Sequence, residues 1–401
     1  MAGYLFTFSD IDSLKACVKT GMYSTRMGLS WSLPTTATLG DYVTMKPGDN
    51  VYFFSKRSVY GIGEIVSIRP ESVFWENRDG VTSGKSFSYE SASLKPLMEE
   101  SPALLQEGKV NRWVICFKPS PSFFQIGIDM DELLQSSPSS FKSLRTFWKR
   151  SFIKLDDEEN RAFKASILRA QMDDCCNVEH APAMECNWES TVASLALDAS
   201  LLQRIPDIDA LIATHKKPDG SLSNEMLLEV GLLNQLSGDD YETNATFGSW
   251  DYLAHQVYAS PFKPIDYMDK IDIFGYRWIP GYEGEVIGRY LVVELKKGAA
   301  SVDDYAQVMK YVDWVCAEYA HGDYSLIDAY LVAMDFNDDV ESAFRGITER
   351  NYVVGQHPAK LKTWNNLSLV RYEVQDAGHI SFGKSTLTIT GIQHFAEMQF
   401  D

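Results

Sequence analysis

Glu294 and Lys296 lie two residues apart in the run Tyr290-Leu-Val-Val-Glu-Leu-Lys-Lys-Gly298. Side chains alternate along a strand, so the two project from one face, with Tyr290 and Val292 beside them. Leu291, Val293 and Leu295 take the other face. A core-facing strand rarely carries a carboxylate and an amine unless they are paired or used. The plain alternative is an ion pair at a strand end. A second acid, Asp272, sits in the preceding apolar segment Ile271–Trp278. Two carboxylates on adjacent strands can hold a hard cation such as Mg²⁺, leaving positions open for water and phosphate. Such an ion polarises phosphate and acidifies water, and a neighbouring lysine can stabilise the charge that builds as a phosphodiester is hydrolysed. The Leu295 carbonyl is a further candidate ligand. Gln307 and Tyr311 are four apart and share a helix face, from which they can touch a phosphate backbone or orient Lys296. Lys297 should point away from Glu294.

Such residues need a sheet with helices around it. Ser223 can cap a helix that begins at Asn224-Glu225 and carries Leu227, Leu228, Val230, Leu232 and Leu236. A polar, aromatic loop through Trp250 and Pro264 leads to the Asp272 strand. Gly281 and Gly284 turn the chain into the Glu294 strand. Ser301 and Asp303 can open a helix from Asp304 to about Tyr319, the expected carrier of Gln307 and Tyr311. Ala329–Asp335 and Leu367–Glu373 read as further strands. The order helix, strand, strand, helix, strand predicts an α/β fold with a mixed central sheet.

With 401 residues, 45% of them hydrophobic, the chain has room for two or three domains with cores of their own. A net charge of −18 argues against a broad basic surface but leaves room for a local basic groove. The N-terminus shows no signal peptide, no apolar run approaches the roughly 20 residues of a membrane helix, and six scattered cysteines suit a reducing compartment. A cytoplasmic protein without a membrane segment is expected. In the N-terminal part, Tyr4–Phe8 reads as a strand and Asp10 as the cap of a helix from Ile11. A loop with Trp31 and Pro34 follows. The Lys46-Pro47-Gly48-Asp49 turn leads to an aromatic strand, Ser55–Ser58 to a hairpin turn, and Gly61 and Gly63 to a bulge or close backbone approach. Arg112–Phe117 is another strand. Lys142, Arg145, Lys149, Arg150 and Lys154 form an acid-free, helix-like run, either a phosphate-binding stripe or a face paired with Asp156–Glu159. Cys175, Cys176, His180 and Cys186 match no paired zinc spacing, so this stretch reads as an interdomain connection.

The order Asp272, Glu294, Leu295, Lys296, followed by Gln307-x-x-x-Tyr311, resembles the PD-(D/E)XK nuclease superfamily over roughly residues 220–335. Within it the likeness is to RecB-like and Shedu-like members. Ile271 stands where the superfamily's name has proline. Glu225 falls on the helix where many members place an extra acid. The resemblance implies a restriction-endonuclease-like mixed sheet flanked by helices, with Asp272, Glu294 and Leu295 holding Mg²⁺, for which Mn²⁺ can substitute. Lys296, Gln307, Tyr311 and Glu225 then complete the catalytic set. The opening strand and helix, Trp31, the Lys46–Asp49 turn, the Gly61-Ile62-Gly63-Glu64 strand and Phe152–Leu155 resemble PUA-like modules of the EVE and YTH type. That likeness implies a small β-barrel α+β domain, with Trp31 and Trp75 as candidates for an aromatic base cage.

The expected organisation is a PUA-like reader over 1–170, a helical linker over 171–215 and a nuclease domain over 216–401. Trp31, Trp75, Lys142, Arg145 and Lys149 are the candidate nucleic-acid contacts. The expected function is Mg-dependent DNA endonuclease activity in modification-dependent restriction or phage defence. The expected partner is DNA, with modified bases as a candidate feature. A homodimer is expected because cutting two strands needs two sites, with the segment around 190–215 as candidate contact. The alternatives are a catalytically inactive nucleic-acid-binding or sensing protein and an RNA-directed nuclease.

Overall fold

A computed structural model of the chain describes residues 1–26, 33–67, 74–77, 112–142, 152–175, 183–197, 207–259, 269–336, 347–355 and 357–385. Contacts divide it into two units, Met1–Asp207 and Ile208–Asp401. The segment 171–215 is therefore shared between them.

In the first unit, strand β1 (Gly3–Phe8) runs into helix α1 (Ile11–Thr20). Asp10 caps the helix as expected, accepting the Ser13 N–H at 2.7 Å. The next stretch departs from the expected loop: it forms β2 (Met22–Arg26) and α2 (Leu33–Val43). Proline is tolerated in a helix's first turn, and Thr36, Leu39 and Tyr42 are buried farther along, so Pro34 and the threonines do not signal a loop here. Strands β3 (Asn50–Ser55) and β4 (Ser58–Val66) form the expected hairpin. Lys56 and Arg57 both take positive φ at its turn, the geometry that matches strand twist. Asp49 accepts the N–H of Ala2 (2.9 Å) and of Lys46 (3.0 Å), which ties the preceding turn to β1. Gly61 has φ 144, and a Cβ there would lie 2.6 Å from the Phe123 backbone. That is the close approach its sequence context suggested, and the β4 register shifts on both sides of it.

The unit continues through β5 (Phe74–Asn77), the long β6 (Arg112–Asp129), α3 (Met130–Ser136), β7 (Phe152–Leu155), α4 (Asp157–Cys175) and α5 (Trp188–Leu197). The strands form one sheet in the order β2-β6-β4-β3-β1-β7, with β5 also on β6. Leu5, Tyr52, Ile62, Phe124, Phe163 and Ile167 share a hydrophobic core cluster. The described end of the basic run, Phe152–Leu155, is thus strand and not helix.

The second unit opens with α6 (Ile208–His215), α7 (Glu225–Ser237) and α8 (Tyr241–Phe247). Asn224, not Ser223, caps α7 through a 3.1 Å bond from the Leu227 N–H. Strand β8 (Tyr252–Tyr258) occupies part of the expected loop. The chain then forms β9 (Lys270–Trp278), β10 (Ile287–Leu295), β11 (Ala299–Ala300), α9 (Val302–Glu318), β12 (Ile327–Ala333), β13 (Asp335–Phe336), β14 (Arg350–Val354), β15 (Lys360–Trp364), β16 (Leu367–Val374) and β17 (Ile380–Ser385). Helix α9 starts two residues before the expected Asp304, whose Oδ2 accepts from the Ser301 N–H (2.7 Å) and Oγ (2.8 Å). The main sheet has the order β17-β16-β12-β10-β9-β8. Strands β10, β12 and β16 are parallel and the other pairs antiparallel, so the sheet is mixed, as expected. Tyr305, Val308, Tyr311, Val312 and Val315 form the buried stripe of α9, repeating at three and four residues. The end of β10 and the start of β9 lie at one end of this sheet. The β9–β10 turn and the starts of β12 and β16 lie at the other.

Within the described residues the chain is mixed α/β, and no helix is long and apolar enough to cross a membrane.

Candidate active site

The β9–β10 register pairs Phe274 with Val292 and Ile273 with Val293. One residue past the second pair, the same register sets Asp272 beside Glu294. The regular ladder ends there. The Leu295 N–H donates instead to Asp272 Oδ2 at 2.8 Å. A strand residue's N–H and C=O face the same edge, so the Leu295 carbonyl faces Asp272's strand as well. Lys296 Nζ lies 2.7 Å from Glu294 Oε1, 3.4 Å from Asp304 Oδ1 and 3.5 Å from Gln307 Oε1. Gln307 Nε2 in turn donates to Tyr311 Oη at 2.9 Å. Glu225, the first residue of α7, accepts the Lys297 N–H at 3.1 Å. All six residues expected at the catalytic centre are thus brought together. Lys297 is exposed.

Glu229, His255 and Gln256 join this group and were not anticipated. Glu229 stands one helical turn after Glu225 and is 1% exposed. Its Oε1 lies 2.8 Å from His255 Nδ1, and its Oε2 accepts from Gln256 Nε2 at 2.9 Å. Gln256 Nε2 also reaches Asp272 Oδ1 at 3.1 Å. Neighbours on a strand normally face opposite ways. Gln256 has φ 51, a left-handed conformation uncommon outside glycine, and this turn lets two consecutive side chains meet one carboxylate. An acid four residues from Glu225, inside the apolar stretch 226–233, was the available signal for Glu229. Truncation of this acid should unfold the second unit more readily. Glu229→Ala removes the acceptor that His255 and Gln256 share, and an unfolding free energy lower by about 2–4 kcal/mol is expected in urea titration. A loss under roughly 0.5 kcal/mol would show that the network does not hold β8 to α7.

Burial, reinforced by the neighbouring acids, governs the site's electrostatics. Burial, then the Glu294, Glu229 and Glu225 charges, push the Asp272 carboxyl well up, against the pull of the Leu295 N–H. Burial pushes Glu294 up to about 7, although Lys296 draws it down. Glu225 is raised mainly by burial. Lys296 responds oppositely: burial alone would lower it, but Glu294, Glu225 and Asp304 hold it charged. Tyr311 is raised by burial, so it stays a neutral phenol. Glu294 Oε2 is buried with no hydrogen-bond donor. The adjacent Asp272 carboxyl is itself an acceptor unless one of the two acids holds a proton.

No group of three or more His, Cys, Asp or Glu side chains forms a ready metal cage among the described residues. The donor set that does converge is two carboxylates and a backbone carbonyl. It fits a hard, oxygen-seeking divalent cation that keeps water in its remaining positions. The donor-free Glu294 oxygen is where positive charge is lacking.

No family model and no curated protein matches the chain. Solved structures weakly similar to it include three of low score. A hypothetical protein from Leishmania major is 14% identical, with 44% of this chain and 97% of that one covered, at a TM-score of 0.25. Protein Atu2648 from Agrobacterium tumefaciens is 14% identical, with 41% and 93% covered, at 0.24. A repair endonuclease from Pyrococcus abyssi is 20% identical at 0.19, and the match takes in 28% of this chain and 42% of that one. At such scores the functional reading rests on the geometry of the chain itself.

The expected nucleic-acid contacts of the first unit are not brought together among the described residues. Trp31, Arg145 and Lys149 lie outside them, and of Trp75 only the backbone on β5 is described. Lys142 is engaged locally: its N–H donates to Glu159 Oε1 at 2.5 Å, and its Nζ is 3.5 Å from Glu158. Lys154 is turned inward, with Nζ 3.3 Å from the Thr44 carbonyl and over the Tyr4 ring, so it does not belong to a solvent-facing stripe. Burial lowers its amine to about 8. Cys186 is a free, half-buried thiol, while Cys176 and His180 lie outside the described residues.

Proposed function

We propose that this chain is a divalent-metal-dependent endonuclease of the PD-(D/E)XK type that acts on DNA. One observation carries the reading: Asp272 and Glu294 are buried side by side, both raised toward neutrality, with an unsatisfied Glu294 oxygen and a charged lysine beside them. Two buried carboxylates that share one lysine remain under-compensated, so such a pair calls for a further cation. Asp272, Glu294 and the Leu295 carbonyl would hold Mg²⁺, with Mn²⁺ as substitute. When bound, the ion supplies Lewis-acid polarisation of phosphate and a more acidic water.

The remaining residues act around that centre. Lys296 presents a fixed positive charge to the anion that develops on a phosphate. Asp304 and Gln307 hold its amine from the helix side. Tyr311 orients Gln307 and, as a neutral phenol, can donate to a phosphate oxygen. Glu225 clamps the chain just past Lys296, and Gln256 fixes Asp272. The first unit serves as the nucleic-acid reader, a role supported by its PUA-like sequence pattern, and restriction of modified phage DNA is the setting that joins the two activities.

The test is cleavage of plasmid and of phage DNAs with different cytosine modifications, with Mg²⁺, Mn²⁺ or chelator, beside single-stranded DNA and RNA. Metal-dependent cutting of a modified duplex supports the reading in full. Cutting of RNA alone replaces the DNA assignment, and no metal-dependent cutting of any substrate overturns it.

A further inference from the structure

Five of the nine large hydrophobic side chains exposed among the described residues sit on two segments of the second unit: Ile279, Tyr282 and Val286 on the β9–β10 turn, Val353 and Leu361 on the β14–β15 hairpin. Tyr282 is 57% exposed, Val353 61% and Leu361 73%. Clusters of this kind mark interaction surfaces more often than scattered apolar residues do.

Both segments stand at the end of the sheet away from Glu294. The turn joins Trp278 to Ile287. The hairpin is anchored where β12 begins, by a 3.1 Å bond from Trp364 Nε1 to the Ile327 carbonyl. Arg350 holds its other strand to α9 through Asp313, at 2.8 and 3.0 Å. Val353 and Leu361 face each other directly across the ladder. The turn is also ordered, with the Ile279 N–H on the Val286 carbonyl at 2.9 Å and the Glu285 N–H on that of Tyr282 at 3.0 Å. Neither surface has to fold in order to bind.

Their charges are opposite. Residues 279–286 contain Glu283 and Glu285 and no base, and residues 350–364 contain Arg350, Lys360 and Lys362 and no acid. With Arg350 engaged by Asp313, Lys360 and Lys362 remain as exposed cations that flank Leu361 in sequence and project from the other face of the strand. An acidic turn and a basic hairpin, each with exposed apolar side chains and carried by one chain, are complementary in charge between copies.

We propose that the acidic β9–β10 turn of one copy docks on the basic β14–β15 hairpin of a second copy of this chain. Two-fold symmetry would make the contact twice, turn to hairpin and hairpin to turn, and so close the assembly as a dimer. The proposal does not depend on the nuclease reading, since the surface is remote from Asp272 and Glu294.

Charge reversal in the full-length chain tests it. The hairpin variant Lys360→Glu/Lys362→Glu and the turn variant Glu283→Lys/Glu285→Lys should each dissociate at least about tenfold more readily than wild type in sedimentation. Mixed in equal amounts, they should pair with each other, because every contact again joins opposite charges. Circular dichroism confirms that each variant is folded, and the altered residues are all exposed. The proposal is overturned if wild type is monomeric at micromolar concentration, if the variants stay dimeric, or if the mixture fails to associate. Variants that stay dimeric while the hairpin variant alone loses DNA affinity would assign the hairpin to nucleic acid instead.

Discussion

Glu294→Gln should reduce metal-dependent cleavage by about a thousandfold or more while leaving the chain folded. The amide keeps the volume of the acid and an oxygen for the Lys296 amine, now 2.7 Å from Oε1. It removes the negative charge that the Asp272 carboxyl faces, and with it half of the anionic pair. Because that pair is mutually repulsive without a cation, stability near pH 8 should be unchanged or higher. Loss of activity with undiminished stability separates a role in the reaction from a structural one. Activity within tenfold of wild type would remove Glu294 from the centre. Lys296→Ala is the companion variant, and it should fall in stability as well, since Glu294 and Asp304 both lose their counter-charge.

Stability of the metal-free chain should fall as pH rises from about 5 to about 8. Glu294 is pushed up to about 7 by burial, and Asp272 is raised in the same direction. A carboxyl with a raised folded-state pKa binds its proton more tightly folded than unfolded. Its stabilising contribution is complete below the ordinary carboxylate range and is lost as pH rises toward 7. For Glu294 this is on the order of 3 kcal/mol. Saturating Mg²⁺ should offset much of the loss near pH 8 and far less near pH 5, where proton and ion compete. Urea unfolding across this range, with and without Mg²⁺, reads both effects. Glu294→Gln should flatten the metal-free slope. A wild-type profile that rises with pH would contradict the geometry of the acid pair.

The strand carrying Glu294 and Lys296 was legible because alternation alone decides which residues share a face. The helix carrying Gln307 and Tyr311 was legible from the start signals Ser301 and Asp303, and their four-residue spacing then put the two on one face. Strand β8 was hidden: the polar pair His255 and Gln256 breaks the apolar pattern of Tyr252–Tyr258, and its place in a sheet depends on pairing with β9. The link from Gln256 to both Glu229 and Asp272 needs a left-handed backbone that no propensity for glutamine foretells. Helix α2 was hidden for another reason, because proline and threonine read as loop until tertiary burial of Leu39 and Tyr42 overrides them. Lys154 shows the limit of counting charges. Five bases in one run suggest a single stripe, yet the last lies inward on an edge strand beside Tyr4.

Helix α7 has no exposed residue, and Glu225 and Glu229 both ride on it. The apolar residues packed along it therefore set how stiffly Glu229 is held and, through Gln256, how stiffly the proposed ligand Asp272 is held. Stiffness is what separates a small ion that demands octahedral oxygens from a larger and more tolerant one. The choice between magnesium and calcium would then be written partly in leucines such as Leu228 and Leu232, none of which could ever meet the ion.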